Sequence, residues 1–229
     1  MAYLSDLWYA DPNNKKLYSL VNDTVNYANT TNSIPSGICV DINKYDVWVT
    51  NAGSNTVSRY NAGVKTIDIP VGNYPVGICQ SAESTVYVTN YKDNTISKIQ
   101  NNSVVKTISV GIGPRGICVT KDGTIWVANY LSSTVSKIVN DIKVLDINVS
   151  SFPIGICSDL NNNVYTANSV AGTVSKITGS VKTLDISVGK VPSGICCDKS
   201  NNIWVTNYNS GTVCKITNDA VALTIDTVS

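Results

Sequence analysis

The sequence predicts an all-β chain, a six-bladed β-propeller built from four-stranded repeats of about 39–40 residues. Two observations carry this. Trp8, Trp48, Tyr87, Trp126, Tyr165 and Trp204 stand 40, 39, 39, 39 and 39 residues apart, and the four tryptophans of the chain all lie in this series. Each step between them is written in short runs of β-branched and aromatic residues separated by turn residues, the pattern of strands and not of helices. A supersecondary unit copied in tandem explains both.

Each repeat opens on Pro-x-Gly-Ile-Cys, which recurs at residues 35–39, 75–79, 114–118, 153–157 and 192–196. This is the expected inner strand. Its glycines (Gly37, Gly77, Gly116, Gly155 and Gly194) suit backbones that crowd one another. They form no phosphate loop, since no helix follows to offer its N-terminus. Lys121-Asp122-Gly123 and Asn161-Asn162-Asn163 then supply the positive-φ residues of a tight hairpin. The second strand carries the aromatic, as in Val47–Thr50 or Ile125–Ala128. It is apolar on both faces, as a strand sandwiched between neighbouring sheets must be. The third reads Thr-Val-Ser-Lys-Ile at 134–138 and 173–177. The fourth, as in 105–110 or 181–188, alternates loosely, as a sheet edge facing water does.

The domain reading is one propeller over 1–229. An abbreviated blade spans 1–34, and full blades cover about 35–73, 74–112, 113–151, 152–190 and 191–229. In the first blade, Leu7-Trp8-Tyr9 and Leu17–Leu20 are strands, and the inner strand shrinks to Met1–Leu4. Closure then rests on packing between the first and sixth blades, a weak seam.

At 87–90 the chain spells Tyr-Val-Thr-Asn, preceded by Val86. With Pro-x-Gly-Ile-Cys and Asn-Thr-Ile-Ser-Lys-Ile, it resembles the YVTN-type repeats, the virginiamycin B lyase (streptogramin lyase) group and NHL domains. The likeness covers the whole chain and implies a propeller. It also implies, for the lyases, a histidine base, glutamates and a divalent metal at the central channel. This chain has no histidine and a single glutamate, Glu83, in a turn between the first two strands of its blade. No position can inherit the lyase base. His-assisted nucleophiles and His-ligated metal sites are excluded with it.

Other recurring residues read as scaffold. Cys39, Cys79, Cys118, Cys157 and Cys196 share one slot, and equivalent places around a ring cannot converge on one zinc ion. They are expected as small buried hydrophobes, with Cys197 and Cys214 as near-core replacements. Asn51, Asn90, Asn129, Asn168 and Asn207, with Asp11 in the first blade, should stand roughly 10 Å or more from the axis, too far to share a cation. A turn-closing bond from side chain to backbone is the expected role. Arg59, Lys98, Lys137, Lys176 and Lys215 recur once per blade, with stems over blade edges and charges in water. No metal and no cofactor is expected.

Positions that vary between blades are where a ligand would be read. The loops joining fourth to first strands and second to third strands should share one face. There, Arg115, Tyr74, Tyr91, Tyr130, Phe152 and Tyr208 form the candidate ligand-binding set, since exposed aromatics with arginine make a binding surface. Arg115 stands where other blades have Ser36, Val76, Ile154 and Ser193, so packing does not demand it.

The net charge of +1 and the sequence pI near 7.5 offer no footprint for nucleic acid. No apolar run is long enough to span a bilayer. The first residues lack a secretory pattern, and free thiols suit a reducing compartment, so an intracellular or virion-associated location is expected. The leading expectation is a non-enzymatic scaffold binding a protein partner or itself, with a small-molecule ligand as a further candidate. The rivals are a metal-dependent lyase- or lactonase-like enzyme at the channel, and a structural subunit of a cell surface or virus particle.

Overall fold

The computed structural model describes residues 7–11, 13–21, 24–30, 33–41, 46–62 and 64–227. The expected inner strand of the first repeat, Met1–Leu4, lies outside them. The chain divides into two compact units, Met1–Thr107 and Ile108–Ser229. Among the described residues no helix is long and apolar enough to cross a membrane.

The first unit holds a three-stranded sheet of β1 (Leu7–Asp11), β2 (Lys16–Val21) and β3 (Thr24–Thr30). Two four-stranded sheets follow. One is β4 (Pro35–Asp41), β5 (Asp46–Asn51), β6 (Thr56–Asn61) and β7 (Val64–Pro70), and the other is β8 (Pro75–Gln80), β9 (Val86–Asn90), β10 (Thr95–Gln100) and β11 (Ser103–Ser109). The second unit repeats the plan three times. Its sheets are β12 (Pro114–Val119), β13 (Ile125–Asn129), β14 (Thr134–Val139), β15 (Ile142–Asn148); β16 (Pro153–Ser158), β17 (Val164–Asn168), β18 (Thr173–Thr178), β19 (Val181–Ser187); and β20 (Pro192–Cys197), β21 (Ile203–Asn207), β22 (Thr212–Thr217), β23 (Ala220–Asp226). All neighbours pair antiparallel in chain order, the arrangement expected of successive hairpins. The hairpin turns use the expected residues, with positive φ at Gly123 and Asn162.

Within each unit, neighbouring four-stranded sheets bury faces on one another. Trp48, Val57 and Ile69 pack on Val86, Val88 and Ile99 in the first unit. In the second, Trp126, Ala128, Val135 and Ile147 meet Ile156, Val164 and Ile177, and Tyr165, Ala167, Val174 and Ile186 meet Ile203, Val205 and Ile216. Burying one such aliphatic side chain contributes about 1.5–3 kcal/mol, so these faces are the main source of stability. The inner strands approach closely, as their glycines suggest. A Cβ on Gly116 would lie 2.4 Å from the Ile154 carbonyl oxygen, and one on Gly155 would lie 2.2 Å from that of Ser193. The register shifts just there, between Pro114 and Ile117 and between Pro153 and Ile156.

The asparagines that end the second strands do something other than close turns through the backbone. Asn51, Asn90 and Asn129 are wholly buried. Their amides donate to two hydroxyls of the third strand: Asn51 Nδ2 to Thr56 Oγ1 (3.2 Å) and Ser58 Oγ (2.9 Å), and Asn129 Nδ2 to Thr134 Oγ1 (3.0 Å) and Ser136 Oγ (2.8 Å). The serine donates onward to an outer-strand carboxylate, Ser58 to Asp68, Ser136 to Asp146 and Ser175 to Asp185, each at 2.5 Å. The carboxylate's other oxygen meets a lysine three residues earlier, in Lys65–Asp68, Lys143–Asp146 and Lys182–Asp185. Burial raises the Asp185 pKa, but the bonds from Lys182 and Ser175 overcome this and hold it below the usual carboxylate value. In the two other full repeats the aspartate is Thr107 or Thr224, and the lysine is Val104 or Val221. Acid and base are kept or lost together because a carboxylate on this relay needs its cation. Cys214 replaces the serine as an isostere, within 3.2 Å of Asn207 Nδ2. The turn expectation missed this because an Asn after a strand looks like turn chemistry, while its partners lie seven residues on.

Two further expectations change. The cysteines are not uniformly buried: Cys214 is, Cys39, Cys79, Cys118, Cys157 and Cys197 are half-buried, and Cys196 is exposed. Desolvation still pushes the Cys39 and Cys118 thiols up to about 12. The basic series does not simply reach water. Arg59, Lys137, Lys176 and Lys215 pair across strands with Trp48, Trp126, Tyr165 and Trp204 and lie over their rings at 5.4, 5.1, 5.7 and 5.6 Å. Several extend to the outer hairpin of the following sheet: Arg59 to Asn102, Lys137 to Ser180 and Lys176 to Asp219. The two sequence periodicities are thus one interaction, an aromatic ring under a cation.

Candidate functional site

The loops predicted to share a face do so within each repeat, joined by backbone hydrogen bonds. Tyr91 N–H donates to the Tyr74 carbonyl (3.0 Å), Tyr130 to Gly113 (2.9 Å), Ser169 to Phe152 (3.0 Å) and Tyr208 to Val191 (3.0 Å). The acceptor is always the residue before the proline that opens an inner strand. That residue is left-handed in all five full repeats, with φ of 46° at Ile34, 57° at Tyr74, 66° at Gly113, 59° at Phe152 and 53° at Val191. Outside glycine this conformation costs roughly 1–2 kcal/mol. It persists where surrounding bonds over-determine it, and such strain clusters at functional positions. Tyr74 N–H donates to Asn55 Oδ1 (2.9 Å), and the Phe152 carbonyl also accepts from Ser169 Oγ (2.9 Å).

The six predicted residues fall into three groups. In the second unit, Arg115 lies over the Tyr130 ring at 4.4 Å, and Tyr130 meets Phe152 with centroids 4.9 Å apart and planes tilted by 56°. Tyr130 of this stack lines a cleft of about 870 Å³ together with Ile154, Val170, Lys190 and Val191. Ile112, Leu131 and Val170 are exposed. In the first unit, Tyr74 and Tyr91 pair at 6.0 Å, and Lys92 lies over Tyr74 at 5.1 Å. Asp93 accepts from the Asn73 backbone and amide, which hold its pKa down. Tyr208 is 78% exposed on a one-turn 3-10 segment, Tyr208–Ser210, and among the described residues it joins neither stack.

A second cleft, of about 520 Å³ in the first unit, was not anticipated. Arg59 donates from Nη2 to Asp46 Oδ2 (2.7 Å) and from Nη1 to Asn102 Oδ1 (2.9 Å), while Asn61 Nδ2 donates to Asp46 Oδ1 (2.9 Å). Asp41 accepts from Gln80 Nε2 (2.8 Å), and Glu83 lines the rim. The signal was present in the repeats. Asp46 stands where the others have Thr85, Thr124, Asn163 and Asn202, and Arg59 is the one arginine in a lysine series. Both aspartates of this cleft, Asp41 and Asp46, are engaged by neighbours. Among the described residues, no three His, Cys, Asp or Glu side chains gather as a metal would require.

Repeated antiparallel four-stranded sheets with an aromatic loop end define a propeller-type repeat protein. The family model for the virginiamycin B lyase family matches residues 6–225, and the chain belongs to that family. Solved structures agree in fold. The virginiamycin B lyase from Staphylococcus aureus matches with a TM-score of 0.89 at 14% identity, over 98% of this chain and 82% of that one. A streptogramin B lyase matches with a TM-score of 0.89 at 18% identity, over 98% and 80%. A catalytically inactive histidine-to-alanine variant of the S. aureus enzyme, solved with quinupristin, matches with a TM-score of 0.87 at 14% identity, over 99% and 81%. No curated protein sequence matches the chain.

Proposed function

We propose that this chain is a six-bladed propeller, one domain over residues 1–229, that works as a non-enzymatic binding platform. Its loop end, centred on Arg115, Tyr130 and Phe152, recognises a protein partner. The carrying observation is the chemistry the chain lacks. The S. aureus lyase variant described as catalytically inactive has lost one histidine, and this chain has none. A general base or an imidazole metal ligand would have to come from elsewhere, and the aspartates of the first-unit cleft, Asp41 and Asp46, are occupied by Arg59, Asn61 and Gln80. The loop end supports binding. An arginine stacked on an aromatic pair, beside exposed Ile112, Leu131 and Val170, has the make-up of an interface centre with a polar rim. The near-neutral charge favours a protein over nucleic acid there.

Two measurements test this. Incubation with quinupristin, followed by mass spectrometry, should return the compound unchanged; turnover would overturn the non-enzymatic reading. Crosslinking of the wild-type chain in its native extract should yield a protein adduct that a combined Arg115→Ala and Tyr130→Ala variant loses. An adduct unaffected by that variant would move the binding face elsewhere.

A further inference from the structure

Departures from the repeat gather around the first-unit cleft. It lies between the β4–β7 and β8–β11 sheets, at the end away from the loops described above. Beside Asp46 and Arg59, it is lined by Gln80, Glu83 and Gln100. In the other full repeats the slot of Gln80 holds Val40, Val119, Ser158 and Cys197, and that of Gln100 holds Asn61, Val139, Thr178 and Thr217. The slot of Glu83 holds Asp122, Asn161 and Ser200 in the second unit. Packing accepts short or apolar side chains in these slots, so it does not call for long amides. The matching space between the last two sheets, bordered by Asp159, Tyr165, Lys176 and Asp219, measures about 190 Å³ against 520 Å³ here.

Hydrogen bonding differs in the same place. Asp159 and Asp198 fold back on their own hairpins, accepting from the backbone N–H groups of Asn163 (2.8 Å) and Asn202 (2.9 Å). Asp41, in the same slot, reaches the next sheet and accepts from Gln80 Nε2 (2.8 Å) and Ser84 Oγ (3.3 Å). The bond from Nε2 orients the Gln80 amide, and Gln80 Oε1 is a buried acceptor with no partner among the described residues. Trp48 is 6% exposed, and its Nε1 also has no partner there, whereas Nε1 of Trp204 donates to Asp198 at 2.9 Å. Unpaired buried polar atoms cost stability unless a ligand meets them.

We propose that this cleft binds a neutral saccharide. The inference goes beyond recognition at the loop end and rests on other residues. A hydroxyl both donates and accepts, so a polyol can serve an N–H donor such as Trp48 Nε1 and a carbonyl acceptor such as Gln80 Oε1 in one site. Carboxylates, amides and guanidinium groups are planar and present polar atoms in pairs, which adjacent hydroxyls of a sugar ring can meet two at a time. The charged residues of the lining are Asp41, Asp46, Glu83 and Arg59. This excess of negative charge disfavours a phosphate, sulfate or carboxylate ligand. A cationic amine would suit the charge but offers no acceptor to the indole N–H or to Arg59. A neutral polyol meets both demands.

An array of neutral, sialylated and sulfated glycans, probed with the fluorescently labelled full chain, tests this. Saturable binding to neutral glycans is expected. Gln80→Val and Gln100→Val each bring in a residue type that another repeat already carries in the slot, so both variants should fold, as circular dichroism would verify. Each should weaken glycan binding about tenfold, the loss of roughly one hydrogen bond. An array with no glycan bound would overturn the proposal, as would binding confined to sialylated or sulfated glycans. Full-strength binding by either variant would overturn it too, by placing the glycan outside this cleft.

Discussion

The buried relays and the loop end are built from the same repeats and obey opposite rules. In the relay, Asn129, Ser136, Asp146 and Lys143 are fixed by one another, and a change at one place is matched at another, as Val104 with Thr107 and Val221 with Thr224 show. At the loop end, Ile34, Tyr74, Gly113, Phe152 and Val191 hold the same backbone conformation with unrelated side chains. Inside, partners dictate the residue. Outside, backbone bonds dictate the shape and leave the residue free.

The largest expected effect tests the inner end of this contrast. Gly155→Ala puts a Cβ 2.2 Å from a backbone oxygen that cannot move aside. It should cost about 3 kcal/mol in urea unfolding, and a neutral result would mean the inner strands are more yielding than drawn. Asn129→Ala should follow at about 2 kcal/mol, since it leaves a cavity and strips the amide from Thr134 and Ser136. A loss below about 0.5 kcal/mol would show that the relay is not held by its amide.

The carboxylates sharpen the comparison through pH. The folded pKa of Asp185 lies below its unfolded value, so its contribution is present above about pH 4 and is lost as pH falls through the folded value. The combined Lys182→Val and Asp185→Thr protein, the pair two repeats already use, should therefore unfold with a flatter acid limb. Wild-type and variant melting temperatures should converge as pH drops from about 4; parallel curves would show that Asp185 does not sense the fold. The smallest effect has the opposite sign. Val191→Gly relieves a β-branched residue at φ 53° and should gain about 0.5–1 kcal/mol in thermal unfolding. A loss there would mean that the Val191 side chain stabilises the loop end.

The sheet order was legible because spacing and turn chemistry are local: the aromatic series marks the second strands, and Pro-x-Gly-Ile-Cys marks the inner ones. Part of the grouping of the candidate residues was legible too. Arg115 stood out as a departure from its repeat, and it lies over Tyr130, which in turn meets Phe152. What escaped depends on pairing across strands. The cation over each ring joins residues eleven apart in sequence, and the asparagine relay joins residues seven and then ten apart. Neither spacing shows as a run.

The left-handed residue ahead of each inner proline has one more consequence. Because hydrogen bonds to its carbonyl set its geometry, each such position behaves as a mounting bracket that accepts interchangeable fittings. A tyrosine, phenylalanine or isoleucine can be swapped in one bracket without retuning the next. The loop end can therefore be rewritten one loop at a time, while the sheets beneath stay as they are.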